Sequence, residues 1–355
     1  MRDGGRRPSG NGRDAGVNGG RGGSPAPVFA ALDLGTNNCR MLLAKPVNQS
    51  FRVVTSFSRI VRLGEGLDAT GMLCEAAIER TVAALKICAG MMRDHKVATS
   101  RGVATEACRR ACNGHDFLKR VKAETGINLT PISSDEEARL TLAGCAPLLD
   151  PDYPFALVFD IGGGSTELMW IAQDSGHAPR PIGIRSLPHG VVTLAERFGR
   201  DAVPDAVYEH LVGLIDDHLA DFDAEHGIGA RVSEGGVTML GTSGTVTTLG
   251  GLYLKLPRYD RSRVDGLVME IPAITDLNRR LAAMDCAARA RIPCIGSERA
   301  DLVVMGCAIL EAIVRRWPVA RLRAADRGIR EGLLLGMIAK ANGQGRPRRA
   351  RRRRR

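Results

Sequence analysis

The sequence predicts an α/β fold built from two duplicated domains, each a mixed sheet flanked by helices, with a cleft between them. Three observations carry this. Asp33-Leu34-Gly35-Thr36-Asn37-Asn38 follows the apolar run Val28 to Leu32 and precedes a second run, Met41 to Ala44. Asp160-Ile161-Gly162-Gly163-Gly164-Ser165-Thr166-Glu167 repeats the arrangement between Phe155–Phe159 and Leu168–Ile171. Around both copies, strand patterns come first and alternating helix and strand patterns follow. A strand, an acidic glycine-rich turn and a strand make a hairpin whose tip can hold an anion. Two of them imply two tips facing one cleft.

The elements follow in order. Phe51 to Phe57 reads as a third strand. Ile78, Val82, Leu85, Cys88, Ala89 and Met92 recur at helical spacing, which predicts a helix over about 75–95. Lys96 to Ala104 is a strand, followed by two short helical stretches. Leu129 to Ile132 is a short strand leading into a helix at about 134–148. The turn-forming segment Asp150-Pro151-Asp152-Tyr153-Pro154 marks the boundary between domains at 28–151 and 152–342. Strands are expected near 155–161, 167–172 and 180–187. Val207, Leu211, Leu214, Ile215, Leu219 and Phe222 mark a long helix opening at Pro204. A strand at 237–241 runs into Gly241-Thr242-Ser243-Gly244-Thr245 and a helix. Helices at about 273–284 and 299–316, the strand Val319 to Ala324 and a helix at about 328–342 close the chain. That last helix is expected to pack back on the first domain.

Composition narrows the function classes. Hydrophobic residues make up 44% of the 355, enough for two cores, and aromatics only 4%. No apolar run reaches the roughly 18 residues of a membrane helix. The N-terminus has no apolar segment of the secretory kind, so a cytoplasmic protein is expected. The nine cysteines include no CxxC pair, and the histidines form no HExxH pattern. A zinc site of those kinds is therefore not expected, and the thiols read as buried and reduced. The net charge of +11 sits in the tails, with eight arginines in 346–355 and five in 1–27. Both tails, 1–27 and 343–355, read as disordered. The run Arg346 to Arg355 could hold nucleic acid or another polyanion by counterion release, or remain solvated without a partner.

The loops carry the chemistry. Gly35 keeps a Cβ away from a ligand, and Thr36, Asn37 and Asn38 add short polar groups. Asp33 repels phosphate and reads instead as a metal or water ligand between phosphates. Gly162, Gly163 and Gly164 cost chain entropy, so something requires that backbone. Ser165 and Thr166 add hydroxyls, and Glu167 adds a carboxylate near Asp160. With Gly241 to Thr245 there are three Gly/Thr-rich loops, each after a strand. Together they resemble the actin, Hsp70 and sugar-kinase superfamily, without choosing among kinases, chaperones and phosphohydrolases.

Four further segments choose. They are Arg59-Ile60-Val61-Arg62-Leu63-Gly64-Glu65-Gly66-Leu67, Ala104-Thr105-Glu106-Ala107-Cys108-Arg109, Ile132-Ser133-Ser134-Asp135-Glu136-Glu137-Ala138 and Asp326-Arg327-Gly328-Ile329-Arg330-Glu331-Gly332. In this order, across 28–342, the set is similar to the exopolyphosphatase and guanosine pentaphosphatase family. The resemblance implies an exo-acting, Mg²⁺-dependent phosphohydrolase acting on inorganic polyphosphate or guanosine pentaphosphate. It implies that Glu137 is the catalytic carboxylate. Asp33, Asp160 and Glu167 would surround metal and water. Residues 35–38 and 162–166 would be the phosphate loops, with Arg40, Arg62 and Arg109 along the anion path. A homodimer is expected on the same ground. The chain departs from the family at Ser134, usually Gly, and in the first loop, usually Gly-Ser-Asn-Ser. It stops after the second domain, whereas longer relatives add a helical module that helps bind long polymer.

Spacing alone gives Glu137 a competing role. Ser134-Asp135-Glu136-Glu137 is a capping box, with Ser at the N-cap and Glu at N3, and Ser133 with Glu136 fits one residue earlier. The resemblance assigns Glu137 to catalysis and leaves Glu136 as a cap or a neighbour of the metal. Two other classes remain open: an ATP-using kinase or chaperone, needing nucleoside binding at Gly241 to Thr245, and a polyanion-binding regulatory protein acting through its tails.

Overall fold

The computed structural model describes residues 26–174 and 177–343. Most of both tails lies outside the described residues. The chain opens with β1 (Val28–Leu34), β2 (Asn38–Val47) and β3 (Ser50–Ile60). Helices α1 (Leu67–Thr70) and α2 (Glu75–Asp94) lead to β4 (Val97–Ala104). Next come α3 (Glu106–Arg110), α4 (Gly114–Thr125), β5 (Leu129–Pro131) and α5 (Ser134–Cys145). The first sheet has the order β3-β2-β1-β4-β5. Its first three strands are antiparallel, and β4 and β5 run parallel to β1.

The second half repeats the plan. It starts with β6 (Phe155–Ile161), β7 (Thr166–Ala172) and β8 (Arg180–Leu187). Then follow α6 (Val191–Phe198), α7 (Asp205–His226), α8 (Ile228–Ser233), β9 (Val237–Thr242), α9 (Ser243–Tyr253) and α10 (Arg261–Val264). The chain continues through β10 (Val268–Glu270), α11 (Ile271–Ala282), α12 (Cys286–Ala290), α13 (Val303–Arg316), β11 (Arg321–Ala325) and α14 (Ile329–Ala341). The sheet order is β10-β11-β9-β6-β7-β8, the first sheet's order with one antiparallel edge strand added. These two mixed sheets flanked by helices are the architecture expected from the duplicated hairpins.

The two halves exchange their last helices. Ile329, Leu333, Leu334, Met337 and Ile338 of α14 bury against Phe29, Ala31 and Leu42 of the first sheet. Ala138, Leu142 and Cys145 of α5 bury against Ala156, Val158 and Met169 of the second. The helices cross where a side chain on Gly144 would strike the Gly328 carbonyl and one on Gly332 the Leu140 carbonyl. Their N-termini are thereby brought to the cleft.

Several expected boundaries move. Pro204 is the N-cap of α7 rather than its first helical residue. Helix α5 ends at Cys145 and continues as a 3₁₀ turn over Ala146–Leu148, because Pro147 has no N–H for an α-helical bond. Helix α13 starts at Val303, four residues later than its pattern suggested, and α6 was not anticipated. Six cysteines are buried, but Cys74 and Cys112 are exposed. No helix among the described residues is long and apolar enough to cross a membrane.

Candidate active site

Asp33 is the penultimate residue of β1 and Asp160 that of β6, so the duplication places two carboxylates at equivalent positions. In the hairpin registers Asp33 lies opposite Arg40, and Asp160 opposite Glu167. The first turn closes through Gly35 N–H donating to the Asn38 carbonyl at 2.9 Å, the second through Gly162 N–H to the Ser165 carbonyl at 2.9 Å. The tips of the two turns meet. A Cβ on Gly163 would lie 3.1 Å from both the Asn37 nitrogen and Thr36 Cβ, and one on Gly164 2.7 Å from Thr36 Oγ1. These glycines are required by close approach and not by backbone sign, since neither has positive φ.

Between the tips lies a cavity of about 120 Å³. It is lined by Asp33, Gly35, Thr36, Asn37, Asn38 and Arg40 from the first half, and by Glu137 at the start of α5. Asp160, Gly162, Gly163, Gly164, Ser165 and Glu167 complete it from the second. The amides of Thr36, Asn37, Gly163 and Gly164 take no part in the backbone bonds that shape the turns. They are available to an anion.

Glu137 is 8% exposed. The helix that presents it is capped by Ser133, whose Oγ accepts from the Glu136 N–H at 3.1 Å. Ser134 is therefore the first helical residue and not the cap, and no glycine is needed there. Glu136, at N3, turns outward to pair with Arg101, so it neither closes a capping box with Glu137's neighbours nor faces the carboxylate cluster. Glu137 Oε2 accepts from Arg109 Nη1 at 2.8 Å. That nitrogen also donates to the Ile132 carbonyl at 2.7 Å, and Arg109 Nη2 donates to Glu106 Oε2 at 2.7 Å. Burial, then the charge of Glu167, hold the Glu137 carboxyl well above the usual range, while Arg109 opposes them.

The other carboxylates are strained the same way. Burial pushes Asp160 up to about 6 and Glu167 up to about 7, with Asp160 adding to the latter. Asp33 is raised too, by burial, and its Oδ1 is buried without a hydrogen-bond partner. Glu167 Oε1 is occupied by the hydroxyls of Ser165 and Ser186 at 2.7 and 2.9 Å. Among the described residues no three His, Cys, Asp or Glu side chains converge as a metal group.

Three of the expected phosphate contacts have protein partners in this structure. Thr166 points out of the cleft, its Oγ1 donating to the His189 carbonyl at 2.7 Å. Arg109 is committed to Glu106 and Glu137. Arg62 reaches across to Asp301 at 2.8 Å. Residues the sequence reading did not assign to the site include Thr105, Glu106, Thr248 and Arg299, which line the same cavity. Ser243, Gly244 and Thr245 line it as well, from the third Gly/Thr-rich loop. Ser243 holds left-handed backbone (φ 82) while its hydroxyl donates to the Ile161 carbonyl.

A second chamber continues past Asp33 and Asp160. Arg40, Arg261, Arg299, Arg327 and Arg330 line it, with Ser56 and Ser58 of the edge strand. Arg261 pairs with Glu331 at 2.8 Å and Arg327 with Asp265 at 2.7 Å. Arg40 makes no salt bridge among the described residues. Burial pushes the Arg330 guanidinium below its usual value. The site is thus a carboxylate cluster between two amide-lined tips, continuous with a cationic chamber.

With that geometry in place, similarity to known proteins is informative. A family model described as the Ppx/GppA phosphatase family matches residues 42–341. The structure of the Aquifex aeolicus family member is 28% identical, covering 90% of this chain and 99% of that one, with a TM-score of 0.73. An exopolyphosphatase-like protein is 27% identical over 89% of this chain and 99% of its own, with a TM-score of 0.82. An exopolyphosphatase from Cytophaga hutchinsonii shares the fold at 23% identity, over 88% and 98%, with a TM-score of 0.79.

Proposed function

This chain belongs to the Ppx/GppA phosphatase family, whose members are hydrolases of phosphoanhydride bonds, and from that premise we propose that it is an exopolyphosphatase. It would release orthophosphate from the ends of inorganic polyphosphate. The observation that carries this is the placement of Glu137, a buried carboxylate between two facing tips with free amides.

In this reading the terminal phosphate binds the amides of Thr36, Asn37, Gly163 and Gly164. The remaining chain extends into the chamber lined by Arg40, Arg299 and Arg330. Glu137 orients a water for in-line attack and accepts its proton. Its raised proton affinity suits that role, because a base must hold the proton it takes. Arg109 fixes the carboxylate through Oε2, leaving Oε1 to face the water. Contact between the tips excludes bulk water from the reacting phosphate.

Mg²⁺ fits the donors present. The unpartnered Asp33 Oδ1, with Asp160 across the cleft, would hold it, and Mg²⁺ commonly binds through one or two carboxylates plus substrate oxygens and waters. When bound, it would neutralise charge on the phosphate oxygens.

A second reading, removal of the 5′-phosphate of guanosine pentaphosphate, has one observation in its favour. Tyr259 brings an aromatic side chain to the chamber wall, its hydroxyl held by Asp326 at 2.6 Å. The test is orthophosphate release from both substrates, with and without Mg²⁺, by the wild type and Glu137→Gln. The expected outcome is faster release from polyphosphate and a loss of about 10²-fold or more in kcat for the variant, with substrate binding kept. Near-normal turnover by Glu137→Gln would overturn the catalytic assignment.

A further inference from the structure

We propose that the Arg62–Asp301 pair and the neighbouring Gly66–Glu196 contact form a bar across one end of the cleft, which makes the site select chain termini over internal bonds. This rests on the polyphosphate reading above.

The bar grows out of the first phosphate loop. Val61 and Arg62 N–H groups donate to the Asn37 carbonyl at 2.9 and 3.0 Å, and Gly64 N–H donates to the Thr36 carbonyl at 2.9 Å. Those bonds hold Arg62 in left-handed backbone (φ 48), a conformation a non-glycine residue keeps only when its surroundings enforce it. From there the guanidinium crosses to the second half and meets both oxygens of Asp301, at 2.8 and 3.3 Å. Asp301 immediately precedes Leu302 and Val303, which line the cavity.

A second crossing lies beside it. Gly66 N–H donates to Glu196 Oε1 at 2.8 Å, and Glu196 sits on α6, whose first residue, Val191, lines the cavity. Arg200 lies 3.7 Å from each of the two carboxylates. The Asp301 and Glu196 side chains are only 12% and 17% exposed, so water screens these contacts less than it would on an open surface. The bar therefore spans the cleft just outside Thr36, Val191 and Leu302.

The opposite end differs in charge and in access. It is the arginine-lined chamber, and it reaches solvent at the exposed Ser56 and Ser58. A polyanion entering there is drawn inward terminus first, until it meets the bar, whose two carboxylates are paired with Arg62 and Arg200. An internal anhydride reaches Glu137 only if the chain beyond it passes through the bar. The chemistry is the same at either place. Water oxygen bonds to phosphorus, the bridging P–O bond breaks, Glu137 takes the proton and the shortened chain leaves. The bar selects only which anhydride is presented.

The experiment compares the wild type with Asp301→Asn, Glu196→Gln and the double variant. Each acts on linear long-chain polyphosphate and on polyphosphate blocked at both ends, with orthophosphate and fragment lengths followed. The wild type is expected to yield orthophosphate from linear chains and to spare blocked ones. The double variant is expected to cut blocked chains at least 10-fold faster than the wild type, giving fragments of intermediate length. If the double variant unfolds, Asp301→Asn alone carries the comparison. Folded variants that release orthophosphate from linear chains yet spare blocked ones overturn the bar alone. A wild type that releases none from linear chains overturns the exopolyphosphatase reading, and the bar with it.

Discussion

Arg109 and Glu137 meet at 2.8 Å, with the bond taken by one carboxylate oxygen, Oε2, only. Arg109 is also tied to the Ile132 carbonyl and to Glu106, so its guanidinium is a fixed object that sets the carboxylate's direction. In the proposed mechanism it is a positioning residue, and it opposes the burial that raises the Glu137 proton affinity. Removing it should raise that affinity further. The basic form would then be populated only at higher pH. Arg109→Met is expected to shift the acidic limb of the kcat/KM–pH profile upward and to lower the neutral-pH rate by roughly 10- to 100-fold. Arg109→Lys should restore part of the limb's position but not the full rate, because Lys cannot bridge Glu106, Ile132 and Glu137 with one planar fork. An unmoved limb would show that Arg109 acts on structure alone.

The carboxylate cluster predicts an inverted pH dependence of stability. Asp160 is pushed up to about 6 and Glu167 to about 7, both by burial. Each binds its proton more tightly folded than unfolded, where values near 4 apply. The stability they contribute is complete below about pH 4 and is lost as pH rises through about 6 to 7. The metal-free protein should therefore lose thermal stability between pH 5 and pH 8. Mg²⁺ favours the ionised form, so millimolar Mg²⁺ should raise Tm at pH 8 and leave it nearly unchanged at pH 5. Asp33→Asn should abolish the Mg²⁺ effect, since it removes the orphaned oxygen. Thermal scans at the two pH values decide this without an activity assay.

What the sequence made legible was local. The hairpin tips, their glycines and the acidic strand ends could be read because each motif is contiguous. The partners of Arg62 and Arg109 were not legible because they are 239 and 28 residues away, and no pattern says which distant carboxylate an arginine meets. The direction of Thr166 did carry a local signal. Strand alternation sends Ser165 and Glu167 to one face and Thr166 to the other. Arg299 follows no motif of its own and reaches the cavity only because α13 begins beside it.

The position of the α5 cap gives a stability test. Ser133 accepts from the Glu136 N–H, and Ser134 already belongs to the helix. Ser133→Ala should cost about 1 kcal/mol. Ser134→Ala should be neutral or slightly stabilising, because alanine favours helix more than serine does. Since Glu137 stands in the same turn, the Ser133 variant is also expected to lose activity. Urea unfolding of the two variants separates them, and the reverse ranking would move the cap to Ser134.

The contact between the two tips yields the last prediction. A methyl group on Gly163 would sit 3.1 Å from Thr36 Cβ and from the Asn37 nitrogen, at the line where the halves meet. Both neighbours belong to the other half of the molecule, so the clash can be relieved by opening the cleft slightly. Gly163 has no positive φ, and alanine meets no backbone penalty there. Gly163→Ala should therefore leave Tm within about two degrees of the wild type, in line with a change of a few tenths of a kcal/mol for a domain of this size. Catalysis should respond more strongly. In the proposed mechanism, opening the tips separates the amides that would grip the phosphate from Glu137 and readmits water. A loss of about 10-fold or more in kcat is expected, because small misplacements of a reacting pair are costly. Steady-state kinetics beside a thermal scan would distinguish this from simple destabilisation. Unchanged kcat would show that contact between the tips is not needed for turnover.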